Sequence, residues 1–337
     1  MLNAPRIVMG LALTALVVTV IVLIGPLGGP SQPPVSTEPV SPHHQQIPRR
    51  NQNGFPGASD TGVPAGTVLR QVPGQVSQGP GWRFDPLGFV DVYGNDAVLS
   101  DLYIPYNINV TASDVTINDV RVINGGKNAI GISLRHTNDV TIENSTISGI
   151  NTGAGRMMTG IKDVFGNSTG LQVMYNDISE FETGIQIESG LVQGNFIHEP
   201  GFIAGDHTNG LTSNGGRTGL LTIYHNTILN DRTQTDAIGL FEDFGVQENR
   251  RITDNLLAGG GYAIYAGQKP GGPATSNIVI TGNQISTVYY AKGGYYGCGV
   301  NFDAAGQNNV WSDNVWDAPG SPQAPAIAAG KTSHHPK

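Results

Sequence analysis

The sequence predicts an all-β solenoid: a single-stranded right-handed parallel β-helix of about nine rungs, behind an N-terminal transmembrane or signal helix. Three observations predict it. A short motif of alternating apolar residues closed by a polar turn recurs through most of the chain. Glycine supplies 47 of the 337 residues, while only 13% are charged. An uncharged, mostly apolar run fills residues 7–24. Glycine at this level is incompatible with a helical bundle. The low charge and many β-branched residues are unlike simple disorder. A net charge of −8 argues against a nucleic-acid binder, which needs a basic face.

The N-terminal run comes first. Arg6 precedes it and Gly25–Pro26 ends it. Its length spans about 27 Å as a helix, close to the hydrocarbon thickness of a bilayer. The charge bias places the N-terminus in the cytoplasm and the remainder outside. Residues 1–24 therefore read as a signal anchor or a signal peptide. The expected location is the cell surface, through a single membrane pass at 7–24, or alternatively secretion. Residues 25–66 are rich in Pro, Ser, Gln and Gly and lack apolar periodicity, which predicts an extended extracellular tether. The single cysteine, Cys298, excludes an intrachain disulfide and predicts a small buried hydrophobe.

The body, residues 67–320, is a ladder of one rung. It reads VTINDVRV from Val115, VTIENSTI from Val140, LQVMYNDI from Leu171 and GLVQGNFI from Gly190. It continues as LTIYHNTI from Leu221, RITDNLL from Arg251, IVITGNQI from Ile278 and VWSDNVW from Val310. The matched turn positions are 102, 120, 145, 176, 195, 226, 255, 283 and 314, spaced 18 to 31 residues apart. That is too short for propeller blades. Three short strands per rung fit it, and alternation places Val140, Ile142 and Ile147 inside and Thr141 outside. The last six turn positions are asparagine. Asparagine tolerates a left-handed backbone, and stacked amides would bond to one another along the ladder. First strands such as TGIKD from Thr159 and TGIQI from Thr183 stack a face whose outward positions are Ser133, Lys162, Gln186, Thr212, Gly239, Tyr265 and Asn301. The loops before these strands vary most, which marks this as the binding side. Residues 321–337 predict a disordered tail.

The VTI-x-x-N-x-I rungs and G-I-x-I strands resemble the right-handed parallel β-helix repeats of the pectate-lyase-like superfamily. GGGYAIYAG at 259–267 and DNVWDAPG at 313–320 are most similar to exported actinobacterial β-helix proteins. The resemblance implies a sugar chain lying on the first-strand face between the variable loops. Superfamily members include lyases, hydrolases, epimerases and non-catalytic surface proteins, so it does not imply one activity. The Asp-Pro-His-Asp run of alginate epimerases is absent, as are the paired aspartates of pectin hydrolases and the vicinal aspartates of a pectate-lyase calcium site.

Two loops carry the richest chemistry, HEPGFIAGDHTNG from His198 and NDRTQTDAIG from Asn230. A β-elimination needs a group to neutralise a uronate, a base for the C5 proton and an acid for the leaving oxygen. Arg232 or Lys162 would neutralise, and His207 would be the base. Asp206 would orient His207 or bind Ca²⁺. Asp206 with Asp236 would instead supply the two carboxylates of a hydrolase. Tyr289 and Tyr290, with Tyr295 and Tyr296, suit sugar stacking or a flap packed on the coil. Thr212, Gln186, Tyr265 and Asn301 line the expected substrate face. The expected partner is a polysaccharide or cell-surface glycan, cleaved by a lyase or only bound by an adhesion module; whether the chain is an enzyme stays open.

Overall fold

A computed structural model describes residues 54–317 apart from Thr152. The predicted membrane segment 7–24, the tether to residue 53 and the C-terminal tail lie outside these residues. Among the described residues no helix is long and apolar enough to cross a membrane.

The described chain is a parallel β-solenoid of nine turns with no α-helix among the described residues. Its first face is a parallel ladder of nine strands: Phe89–Val92, Asn107–Val110, Gly126–Leu134, Met157–Asp163, Phe181–Gln186, Asn209–Ser213, Asp236–Leu240, Tyr262–Ala266 and Gly297–Val300. The second and third faces begin as the continuous strands Val98–Ile104 and Thr116–Ile123. They then separate into paired short strands, starting with Thr141–Glu143 and Thr146–Ser148. An antiparallel meander, Gln78–Gly79, Trp82–Asp85 and Phe89–Val92, covers the N-terminal end and buries Trp82.

The alternation works as expected. Val140, Ile142 and Ile147 are buried in the central core, while Thr141 is half-buried on the outside. A parallel coil buries one apolar column per inward position, so Ile132, Ile161, Ile185, Leu211, Ile238 and Ile264 form one continuous stack. Beside that column the corner tolerates only small residues. A Cβ at Gly184 would lie 2.5 Å from the Gly210 carbonyl oxygen and 2.8 Å from Ile197 Cγ2. This explains the G-I and A-I pairs that open the first strands. Cys298 sits at the last such corner, half-buried against the core, and burial pushes its thiol pKa up.

The corner between the second and third faces carries the asparagines, and all six are buried. Asn176 Nδ2 donates to Asn195 Oδ1 at 3.0 Å, and the chain of amides continues through Asn226, Asn255 and Asn283 to Asn314 at 2.8–2.9 Å. Each accepting oxygen also takes the backbone N–H of the asparagine one turn below. Ser145 begins the series, donating its N–H to Asn176 and accepting from the Val120 N–H. The expectation that asparagine itself adopts the left-handed backbone is corrected. Positive φ falls one residue earlier, at Asp101, Asp119, Asn144, Tyr175, Gly194, His225, Asp254, Gly282 and Asp313. The residue before the asparagine makes the bend, which leaves the asparagine side chain pointing inward to bond.

The body also begins earlier than expected. Residues 54–66, read from sequence as the end of the tether, lie on the coil. Phe55 is buried and stacks on His225 at 5.3 Å. Gly62 N–H donates to the Tyr175 carbonyl, and Val63 N–H to Thr146 Oγ1. A buried aromatic ring and these backbone hydrogen bonds together dock a segment whose composition reads as solvated spacer.

Replacing a mid-ladder amide should be costly. Asn226→Ala removes three donated and two accepted side-chain hydrogen bonds. The buried partners are left unsatisfied, with an expected loss of about 3 kcal/mol or more in urea unfolding. Asn314→Ala, at the last turn, removes fewer bonds and should cost roughly half as much.

Candidate functional site

The first face presents two outward columns. One runs Asn109, Ser133, Lys162, Gln186, Thr212, Gly239 and Tyr265 in direct register. The other runs Thr159, Thr183, Asn209, Asp236 and Tyr262. The sequence alignment of the face therefore holds to Tyr265 and slips at the last strand. Tyr265 pairs with Val300, not Asn301. Asn301 lies just past the strand with φ 60°, and its carbonyl accepts from the Gln268 N–H. The long preceding loop delivers Gly297 opposite Tyr262, one residue earlier than the motif match implied.

The variable loops 198–208 and 231–235 flank this face, and most of their charged groups are turned inward. Asp206 is buried and forms a bidentate pair with Arg156: Nε donates to Oδ2 at 2.6 Å and Nη2 to Oδ1 at 2.5 Å. The Ile203 N–H donates to the same carboxylate. Arg156 is 1% exposed; it also pairs with Glu182 at 2.8 Å and donates to the Lys127 carbonyl. Both Asp206 oxygens are engaged by these donors, so the expected roles of orienting His207 or binding Ca²⁺ would have to compete with a buried ion pair. Among the described residues no cluster of three or more His, Cys, Asp or Glu side chains is arranged to hold a metal ion.

Arg232 is likewise a loop clasp. It donates to the Pro200 carbonyl at 2.9 Å, pairs with Asp231 at 3.3 Å and lies over the Phe202 ring. Asp236 is fully buried, and neither carboxylate oxygen has a hydrogen-bond partner. Burial pushes its pKa well above the usual carboxylate range. It cannot pair with Asp206 across an open groove as a hydrolase would require. His207 is exposed and Lys162 half-exposed. Of the five expected catalytic residues, Asp206 and Arg232 thus tie the loops and Asp236 lies under the surface, while His207 and Lys162 reach solvent.

Among the expected binding residues, Gln186 is half-exposed at the centre of the face. Thr212 is buried, and its hydroxyl donates to Asn214 Oδ1. Tyr289 packs on an outer apolar cluster of Phe196, Leu229 and Ala258, and burial raises its phenol pKa. Tyr290 Oη donates to the Asp231 carbonyl. These two tyrosines anchor a flap. The apolar residues outside the third strand leave a patch that needs covering, and the flap covers it.

The same side of the solenoid also carries a run of aromatic rings, of which Tyr295 and Tyr296 are exposed. Ring contacts run without a break from Phe241 to Tyr265 at 5.5 Å, Tyr262 at 5.4 Å and Tyr296 at 5.7 Å, then to Tyr295 at 4.9 Å and Tyr290 at 5.8 Å. Tyr262 and Tyr265 lie on one strand, so the stripe crosses the solenoid axis. Burial raises the Tyr265 pKa, with Asp236 contributing, so its hydroxyl stays protonated.

No protein-family model matches the chain. No curated protein matches it either.

Sequence reasoning missed Arg156 and Glu182. Their types and places, an arginine in GAGRMM and a glutamate in FETG, carry no signal that the arginine is buried with the half-buried glutamate as a second partner. Burial raises the Glu182 pKa, and Asp206 adds to this against the opposing pull of Arg156.

Removing the partner of a buried arginine should be severe. Asp206→Ala is expected to cost about 3–5 kcal/mol in chemical denaturation, whereas His207→Ala should leave stability within about 0.5 kcal/mol. Asp236→Asn should raise the melting temperature at neutral pH. The folded state holds a proton that the unfolded chain releases, so this residue's stability contribution is lost as pH rises above about 4. The gain from the substitution should shrink as pH falls towards about 4, which melting curves across pH will test.

Proposed function

We propose that this chain is an exported, membrane-anchored β-helix module that binds polysaccharide on its first-strand face without cleaving it. The observation that carries this reading is the unbroken aromatic stripe from Phe241 to Tyr290, whose Tyr265 stands three strands beyond Gln186 in the same column. Sugar rings present an apolar C–H face with a polar rim, which suits stacking on tyrosine. The varied loops flanking the face favour the same side of the solenoid. A non-catalytic role is favoured because Asp206, Arg232 and Asp236 are engaged or buried. The right-handed, pectate-lyase-like character belongs to this proposal, on the repeats that suggest it. So do export and anchoring, on Arg6 followed by the apolar run 7–24.

Full-length protein in detergent should be retarded in gels that contain its polysaccharide. It should produce neither reducing ends nor the ultraviolet absorbance of a new double bond. Product formation would replace the binding reading with an enzymatic one. In cells the chain should stay with membranes after alkaline carbonate washing; recovery in the medium would remove the anchor.

A further inference from the structure

The aromatic stripe and the charges around it point to a specific ligand class. Tyr295 and Tyr296 are 46% and 48% exposed, and they join Tyr262 and Tyr265 in edge-to-face and tilted contacts. The rings hold one another in place, so little side-chain freedom is lost when a ligand stacks on them. An anionic chain would in addition need unpaired cations, and the loops flanking the rings do not supply a surplus. Arg232 pairs with Asp231, and Lys269 pairs with Asp243 at 3.1 Å. Lys292 on the flap is exposed, and Glu242 stands next to Phe241 on the opposite flank. Two of these three cations are ion-paired, and Glu242, which accepts from the Lys269 N–H, adds a third carboxylate to the same surroundings, on a chain of net charge −8. Lys162 stands four strands from Tyr265 in the same column, about 19 Å at ordinary strand spacing. Arg156 and Arg250 are buried.

We infer that the bound glycan is electrically neutral and lies along the stripe from Tyr265 to Tyr295, across the solenoid axis. This rests on the polysaccharide-binding reading and sharpens it. Affinity comes from stacking on rings, and uronates or sulfated chains are disfavoured because the cations near the rings do not outnumber the carboxylates there. It also removes β-elimination from the options, since that reaction needs a uronate carboxylate.

The test is affinity electrophoresis and calorimetry of the full-length protein. The probes are neutral glucans, mannans and galactans against polygalacturonate, alginate and dextran sulfate. A neutral polymer should bind, with affinity unchanged within about twofold on raising salt from roughly 0.05 to 0.5 M. Tyr295→Ala and Tyr296→Ala should each weaken binding about tenfold, while Tyr296→Phe, which keeps the ring, should not. Lys292→Gln and Lys162→Gln should have no effect. Tighter binding of a polyuronate or sulfated chain, lost with salt or with Lys292→Gln, would overturn neutrality while leaving glycan binding intact. Unchanged binding in both alanine variants would overturn the stripe as the platform. Binding of no probe at all would overturn the glycan reading and this inference with it.

Discussion

Hydrophobic burial can stack apolar columns, but it is indifferent to small sliding of one turn over the next. The asparagine amides at one corner remove that freedom. Each Oδ1 takes both the amide and the backbone N–H of the turn below, so two hydrogen bonds fix the height of every step from Asn176 to Asn314. The bond is available because the preceding residue, such as Tyr175 or Asp254, accepts the left-handed backbone. In-register strands on the first face follow from this, and with them the alignment of Lys162, Gln186 and Thr212 in one column. A slipped turn would move every outward residue to a different neighbour.

The loops are tied to this frame by buried polar clusters. Arg156 holds the 198–208 loop through Asp206. Glu188 accepts from Ser213 and from the backbone of Asn214 and Gly215, while Arg250 bonds Gln247 and the Gly219 carbonyl. A buried ion must be matched by partners on all sides or it destabilises the fold. This requirement turns the most reactive-looking residues of the loops into structural ones. With these groups engaged, the exposed Tyr295 and Tyr296 shape the ligand reading.

Rung positions, inward columns and the asparagine corner were legible from residue order, because strand alternation and turn preference are local. The outward column was legible up to Tyr265, and failed at Asn301 where loop length, not motif, set the register. The roles of Asp206, Arg232 and Asp236 were not legible. Polar turn residues look alike whether they face solvent or a buried arginine. Tyr289 illustrates the same limit: its ring covers Phe196 and Leu229, residues far from it in sequence.

The sequence by itself determined that this chain forms a β-solenoid, how many turns it makes and which residues stack within it. A repeated local pattern has one low-energy way to bury its apolar face, which is to stack on its own copies. Only the tertiary structure decided which polar groups are spent inside and which remain at the surface. That outcome depends on pairing between loops whose sequences do not repeat, so no period in the chain could announce it.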